Sequence, residues 1–294
     1  MTKKTVSAES NVSAESNVSD ESTVSDESTE TIASEFLFDP SLMGEEFNAV
    51  RIPRLPYGIV INDNPPGIFI TEKNAIKAGW FHLEDLIEKE LPSGVEKGLF
   101  FSSVRVAVLG NVPMYIRYKT KKENGDLAGT MVSPSYELDK HLLDKKTMDV
   151  VSEHLVMFVD ESNKLLHNRP LRIRFKNVAL WSFRESLEEF YIRIEMVFAK
   201  LTETNASGKN DKWRSLCVFS ANFKAVKEGE DSNRSWCCKV DNYSIPSIEN
   251  FVSIFLGMKE QKEAIWESYD MNIASLAPKV LPGSAEQALL RSAN

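Results

Sequence analysis

The chain has 294 residues, with 35 Lys+Arg against 43 Asp+Glu and 42% hydrophobic residues. That apolar fraction supplies a folded body and excludes global disorder. The longest apolar stretch, 98–116, is broken by Ser102, Ser103, Arg105 and Asn111, so no spanning helix is predicted.

The formal charge of −8 is unevenly placed. Residues 1–35 hold two basic and eight acidic residues, leaving 33 basic and 35 acidic in a nearly neutral body. The tail is a six-residue repeat: Ser7-Ala-Glu-Ser-Asn-Val12 recurs at 13–18, as Ser19-Asp-Glu-Ser-Thr-Val24, and in degenerate form at 25–30. One Val per six residues cannot repay the ordering entropy, so 1–35 reads as a disordered acidic tail. It contains no secretory h-region. Residues 36–270 read as one domain and 271–294 as a flexible C-terminal tail.

In chain order, Tyr57–Ile61 and Gly67–Thr71 are β-rich runs around a Pro/Asn turn. Thr71 is placed to cap a helix over 72–78 that Gly79 ends. A second short helix is predicted over 83–91, stopped by Pro92. Strands are predicted at 99–109, 113–121, 127–132, 154–160 and 171–177, with Asn124-Gly125 as a tight hairpin and a helical turn near 144–153. The strongest helix is 178–203: Leu180, Phe183, Leu187, Phe190, Ile194, Val197 and Leu201 recur at steps of three and four. Such a stripe lies across a sheet. Strands at 213–220 and 235–241 follow, then helices at 248–256, capped by Ser247, and 259–269. Strand runs interrupted by one long helix, with helices grouped at the end, give an α+β fold with a mostly antiparallel sheet or partly open β-barrel. A doubly wound parallel sheet needs an alternation that is absent.

Motif searches point away from an enzyme. There is no GxGxxG, no GxxxxGK[ST] and no GxSxG. His82, His141, His154 and His167 have no metal-ligand spacing, and Cys217, Cys237 and Cys238 form no CxxC. No cofactor and no metal are expected. Three scattered thiols fit a reducing cytoplasm.

Positive charge on strand-like segments stands out. In 115–122, Tyr115, Arg117, Lys119 and Lys121 share one face at period two. In 169–184 there are five basic residues and no acid, and Arg172, Arg174 and Lys176 share a strand face opposite Leu171, Ile173 and Phe175. Trp213 and Trp236 each stand near an arginine on later predicted strands. If these faces are neighbours, they form a groove whose cations track phosphates and whose Tyr115, Trp213 and Trp236 stack on bases. The expected function is non-catalytic binding of single-stranded nucleic acid or an accessory role in DNA processing. The bland alternative is that a Lys/Arg-rich outer face keeps a sheet soluble. The chain then serves as a structural or assembly module that self-associates.

Arg51-Ile-Pro-Arg-Leu-Pro56, the 57–61 and 67–70 pair, Asn74-Ala-Ile-Lys-Ala-Gly-Trp80, 159–167, Trp213-Arg-Ser-Leu-Cys-Val-Phe219 and Ile245-Pro-Ser-Ile248 with Phe255-Leu-Gly257 resemble an uncharacterised domain family common in cyanobacteria. The resemblance covers roughly 36–270. It implies a cytoplasmic setting and no assigned activity, so no site residue carries over from it.

Overall fold

The computed structural model describes residues 54–276, apart from 121, 230–233 and 259. The acidic repeat, Lys121 and the end of the chain lie outside the described residues.

The eleven strands are β1 (Tyr57–Ile61), β2 (Gly67–Thr71), β3 (Ile87–Leu91), β4 (Gly94–Phe101), β5 (Ser103–Asn111), β6 (Tyr115–Tyr118), β7 (Met131–Ser133), β8 (Met148–Phe158), β9 (Leu171–Lys176), β10 (Val218–Glu228) and β11 (Ser235–Tyr243). They run in the order β11-β10-β5-β8-β9-β1-β2-β4-β3, and β6 pairs with both β8 and β7. Each described pairing is antiparallel except β1 with β9. The helices are α1 (Glu72–Ala78), α2 (Tyr136–Asp139), α3 (Asn177–Leu201), α4 (Asp211–Arg214), α5 (Phe251–Ile254) and α6 (Gln261–Asn272). The result is an α+β fold with a mixed sheet curled into a half-barrel.

The long helix α3 packs against β8, β9, β10 and β11. Phe183 stacks on Phe175 of β9 at 4.1 Å between centroids, and Phe190 meets Phe219 of β10 at 5.4 Å. Leu180, Phe183, Leu187, Phe190 and Ile194 are all buried, as the three-and-four spacing predicts. Burying five such side chains contributes roughly 1.5–3 kcal/mol each. Among the described residues, β11 ends the strand order and has no strand partner on its outer edge. Two side chains cap that edge: Cys238 N–H donates to Asn62 Oδ1 at 2.8 Å, and Val240 N–H donates to Ser182 Oγ at 2.9 Å.

Helix α1 forms as expected. Thr71 Oγ1 accepts from Asn74 N–H, and Gly79 closes the helix at φ 69°, a left-handed value that a side chain would strain. Elsewhere tertiary pairing overrides local signals. Residues 83–91 do not form a helix. Their second half is β3, which doubles back on β4 through Pro92 and Ser93 in register Leu91 to Gly94. The strand predicted at 99–109 is two strands, broken at Ser102. The helical turn predicted near 144–153 gives way to β8 from Met148, because that segment fills the space between β6, β5 and β9. Trp213 sits in α4, capped by Asn210 Oδ1 at 3.0 Å, and the strand begins only at Val218. Asn124-Gly125 does lie between the paired strands β6 and β7, but within a 3₁₀ segment rather than a two-residue turn. The helix expected over 248–256 is reduced to α5, and ordered chain continues past 270 through α6 and a 3₁₀ turn, with Leu276 buried.

Candidate functional site

Strand β9 alternates by the pleat. Leu171, Ile173 and Phe175 point into the core under α3, and Arg172, Arg174 and Lys176 point to the other face. On that other face, β8 contributes Asp149, Val151 and Glu153, since Val151 stands opposite Lys176 and Glu153 opposite Arg174. Strand β6 adds Tyr115 opposite Val151 and Arg117 opposite Asp149. On the far side, β1 places Tyr57 beside Arg172 and Ile59 beside Arg174. Gly58 permits that close parallel pairing, because a Cβ there would lie 2.5 Å from Ile173 Cδ1.

These strands floor a cleft of about 980 Å³. Arg117, Arg172, Arg174 and Lys176 all line it, as do Tyr57 and Arg54. Its opposite wall is Lys89–Pro92, the end of the β3–β4 hairpin. Cations from two segments more than fifty residues apart therefore do share one concave surface.

They differ sharply in how their charge is spent. Glu153 is buried and takes Arg172 Nη1 at 2.9 Å, Arg174 Nε at 2.7 Å, and the Tyr115 hydroxyl at 2.9 Å. Burial raises its pKa, but the Arg174 and Arg172 guanidinia and the hydrogen bonds outweigh burial and hold the carboxyl below its ordinary range. Burial likewise works against the Arg174 cation, and Glu153 overrides it and raises that pKa. Burial and the neighbouring Glu153 push the Tyr115 phenol up to about 12. Asp149 accepts from Asn177 Nδ2 at 2.7 Å and lies 3.7 Å from Lys176 Nζ. Asn177 can make that bond because it opens α3 in the left-handed region at φ 48°, which Asn tolerates; its Oδ1 also accepts from Val150 N–H.

Arg117 is the exception. It is 8% exposed, its Nε has no hydrogen-bond partner, and no carboxylate among the described residues lies within ion-pair distance of it. Its nearest acids are committed elsewhere: Asp149 to Asn177 and Lys176, Glu153 to two arginines. Burial, followed by repulsion from Arg174, lowers its pKa. Two guanidinia thus repel each other across the cleft floor.

The remaining predicted site residues are not part of this floor. Tyr115 is buried with its hydroxyl bonded to Glu153, so its ring is not a stacking platform. Lys119 lies just past β6, and its ammonium donates to the carbonyls of Lys145 and Lys146. Trp213 packs between Phe198 and Phe255, at 5.2 and 5.1 Å. Trp236 is on β11 under Lys227, whose Nζ lies 4.8 Å from the ring centroid. Neither tryptophan lines the cleft. The aromatic that does is Tyr57, 52% exposed, which a period-two reading of β1 could place on a face but not beside Arg172.

Among the described residues no group of three or more His, Cys, Asp or Glu could hold a metal ion, and no helix is long and apolar enough to cross a membrane.

No solved structure matches the chain. Over 171 residues it is 22% identical to "Uncharacterized protein 254L" of Invertebrate iridescent virus 6, an alignment that covers 57% of this chain and 50% of the viral protein. The chain thus spans about half the length of that curated relative. A family model described as a domain of unknown function (DUF5895) matches residues 52–287, which takes in every strand and helix described above, and the chain belongs to that family.

Proposed function

We propose that the β6–β8–β9–β1 cleft binds single-stranded nucleic acid without catalysing a reaction on it. The observation that carries this reading is Arg117: a buried guanidinium, facing a cleft, with no carboxylate within ion-pair distance among the described residues and a second guanidinium nearby. Buried charges are ordinarily paired, because an unpaired one costs several kcal/mol. An anion between Arg117 and Arg174 relieves both the desolvation and the repulsion. A phosphate meets that need, with Lys176 on the adjacent oxygen or the next phosphate. The cleft then supplies what a base requires: Tyr57 to stack on, with Ile59, Leu91 and Pro92 lining it. Its volume accommodates one or two nucleotides rather than a duplex. The alternative role is self-association through a strand edge; two side chains cap β11, which leaves β3, at the other end of the strand order, as the edge for it.

Titration of a fluorescent single-stranded oligonucleotide at several salt concentrations tests this. With Arg117, Arg174 and Lys176 each meeting a phosphate, log K falls with log salt at a slope of about −2. Absence of binding at low salt, or a slope that Arg117→Gln leaves unchanged, overturns the reading.

A further inference from the structure

On the opposite face of β8, between β5, β8 and α3, lies a second cavity of about 220 Å³. Ser152, His154, Met114 and Arg184 line it, as do the carboxylates of Asp211, Glu137 and Glu188. It is built from residues that the nucleic-acid reading does not use.

His154 is 2% exposed, and neither Nδ1 nor Nε2 has a hydrogen-bond partner among the described residues. The rings of Phe175 and Phe183 pack edge-on to it at 5.6 and 5.0 Å. The other buried histidine shows what a purely structural imidazole does in this fold. His167 Nε2 accepts from Phe158 N–H at 2.9 Å, and its Nδ1 meets Arg169 O at 2.8 Å. Leaving two buried ring nitrogens unpaired is costly, and buried polar atoms without partners are rare. Burial, reinforced by the Arg184 cation, pushes the His154 pKa down to about 3, so the ring is neutral and offers one N–H donor and one lone pair.

Arg184 makes no close ion pair among the described residues: its Nη1 meets the Met114 sulfur at 3.0 Å, and its charge reaches Glu137, another lining carboxylate, only at longer range. Asp211 also lines the cavity. Ser152 has donated its hydroxyl proton to Val112 O, at 2.7 Å. The cavity falls below the roughly 300 Å³ at which pockets for drug-sized molecules begin.

We infer that this cavity binds a small carboxylate-bearing molecule, its carboxylate held between Arg184 and the His154 N–H. A plain carboxylic acid and an α-amino acid share that chemistry, and Asp211 is placed to favour the ammonium of the second. The inference is independent of the nucleic-acid reading.

Calorimetric titration of the full chain with propionate and with alanine, which differ by the α-ammonium, is the test. At least one binds saturably at millimolar concentration. Arg184→Gln, at an exposed position that does not disturb folding, weakens it about tenfold or more. Nitrogen NMR of the protein shows the His154 ring resonances shifting as the probe is added. Asp211→Asn weakens alanine alone if the amino acid is the true class, and changes neither if it is a plain acid. Absence of saturable binding for both probes overturns the inference. So does affinity that survives Arg184→Gln but disappears in Arg117→Gln, since that places the carboxylate in the other cleft.

Discussion

Replacing Arg117 by Met tests the cleft at its most informative point, because the structure demands opposite effects on folding and on binding. The guanidinium is 8% exposed, its Nε is unpaired, and burial together with Arg174 disfavours its charged form. Met keeps an unbranched stem at this position of β6, the strand between β7 and β8, while removing the charge and its donors. Removing one unsatisfied buried polar group relieves about 1–3 kcal/mol, and easing the repulsion on Arg174 adds to that. For a body of this size each kcal/mol raises Tm by about 2–4 °C. The variant therefore melts about 2–8 °C above the natural protein, taking about 1–2 kcal/mol as the realised gain. Its affinity for a single-stranded oligonucleotide falls at least about tenfold, and the salt slope becomes shallower by about 0.7, the share of one phosphate contact. Thermal or urea unfolding alongside fluorescence anisotropy measures all three. A variant that melts lower, and binds as before, refutes the reasoning: Arg117 would then be a structural cation with partners of its own.

Three other perturbations follow from the same geometry. Glu153→Gln removes the carboxylate that two arginines share. It should cost about 2 kcal/mol in urea unfolding, less than for a fully buried pair because Arg174 is 47% exposed, and it should raise oligonucleotide affinity by freeing both cations. Unchanged affinity would show that neither arginine meets the ligand. Trp236→Ala and Trp213→Ala should leave oligonucleotide affinity within about twofold of the natural value, although Trp213→Ala loses its packing on Phe198 and Phe255 and destabilises the fold by about 3 kcal/mol; a large affinity loss in the first variant would move the site to β11. Acid should destabilise the fold early. His154 and His167 have folded pKa values of about 3 and about 4 against an ordinary 6.5, so below pH 6.5 the unfolded chain takes up protons that the native state refuses. Their contribution is complete above pH 6.5 and is lost as pH falls toward 4, at about 1.4 kcal/mol per pH unit for each ring. Unfolding free energies that stay flat between about pH 7 and about pH 5 would show that the two imidazoles are not buried neutral.

The parts of the fold legible in the sequence were those set by local rules. Thr71 and Gly79 bracket α1 because a cap and a left-handed C-terminal glycine act within one turn, and the three-and-four stripe of α3 is visible because one face meets one sheet. What was illegible depended on partners distant in sequence. The run 83–91 carries Glu and Leu at helical density, yet it becomes β3 because β4 offers an edge and Pro92-Ser93 allows the reversal. The cut between β4 and β5 at Ser102 lies inside one apolar run, and only the separate engagements of β4 with β2 and β5 with β10 divide it.

The same distinction separates the cations from their meaning. Period two placed Arg172, Arg174 and Lys176 on one face, and Arg117 on its own strand's face, without any knowledge of pairing. Their convergence needed the insertion of β8 between β6 and β9, and β8 brought Asp149 and Glu153 with it. Charge counted along 169–184 finds five cations and no acid, but charge counted across the sheet finds two carboxylates seated among four cations. A strand rich in arginine is thus a poor measure of what a ligand meets: Glu153 already occupies the place of an anion for Arg172 and Arg174, and holds both in position. On the proposed reading, the cleft attracts an anion through Arg117, because the carboxylates nearest to it are already engaged by Arg172, Arg174 and Lys176. A single buried residue, rather than the most basic stretch of the chain, is therefore the point at which that reading is tested.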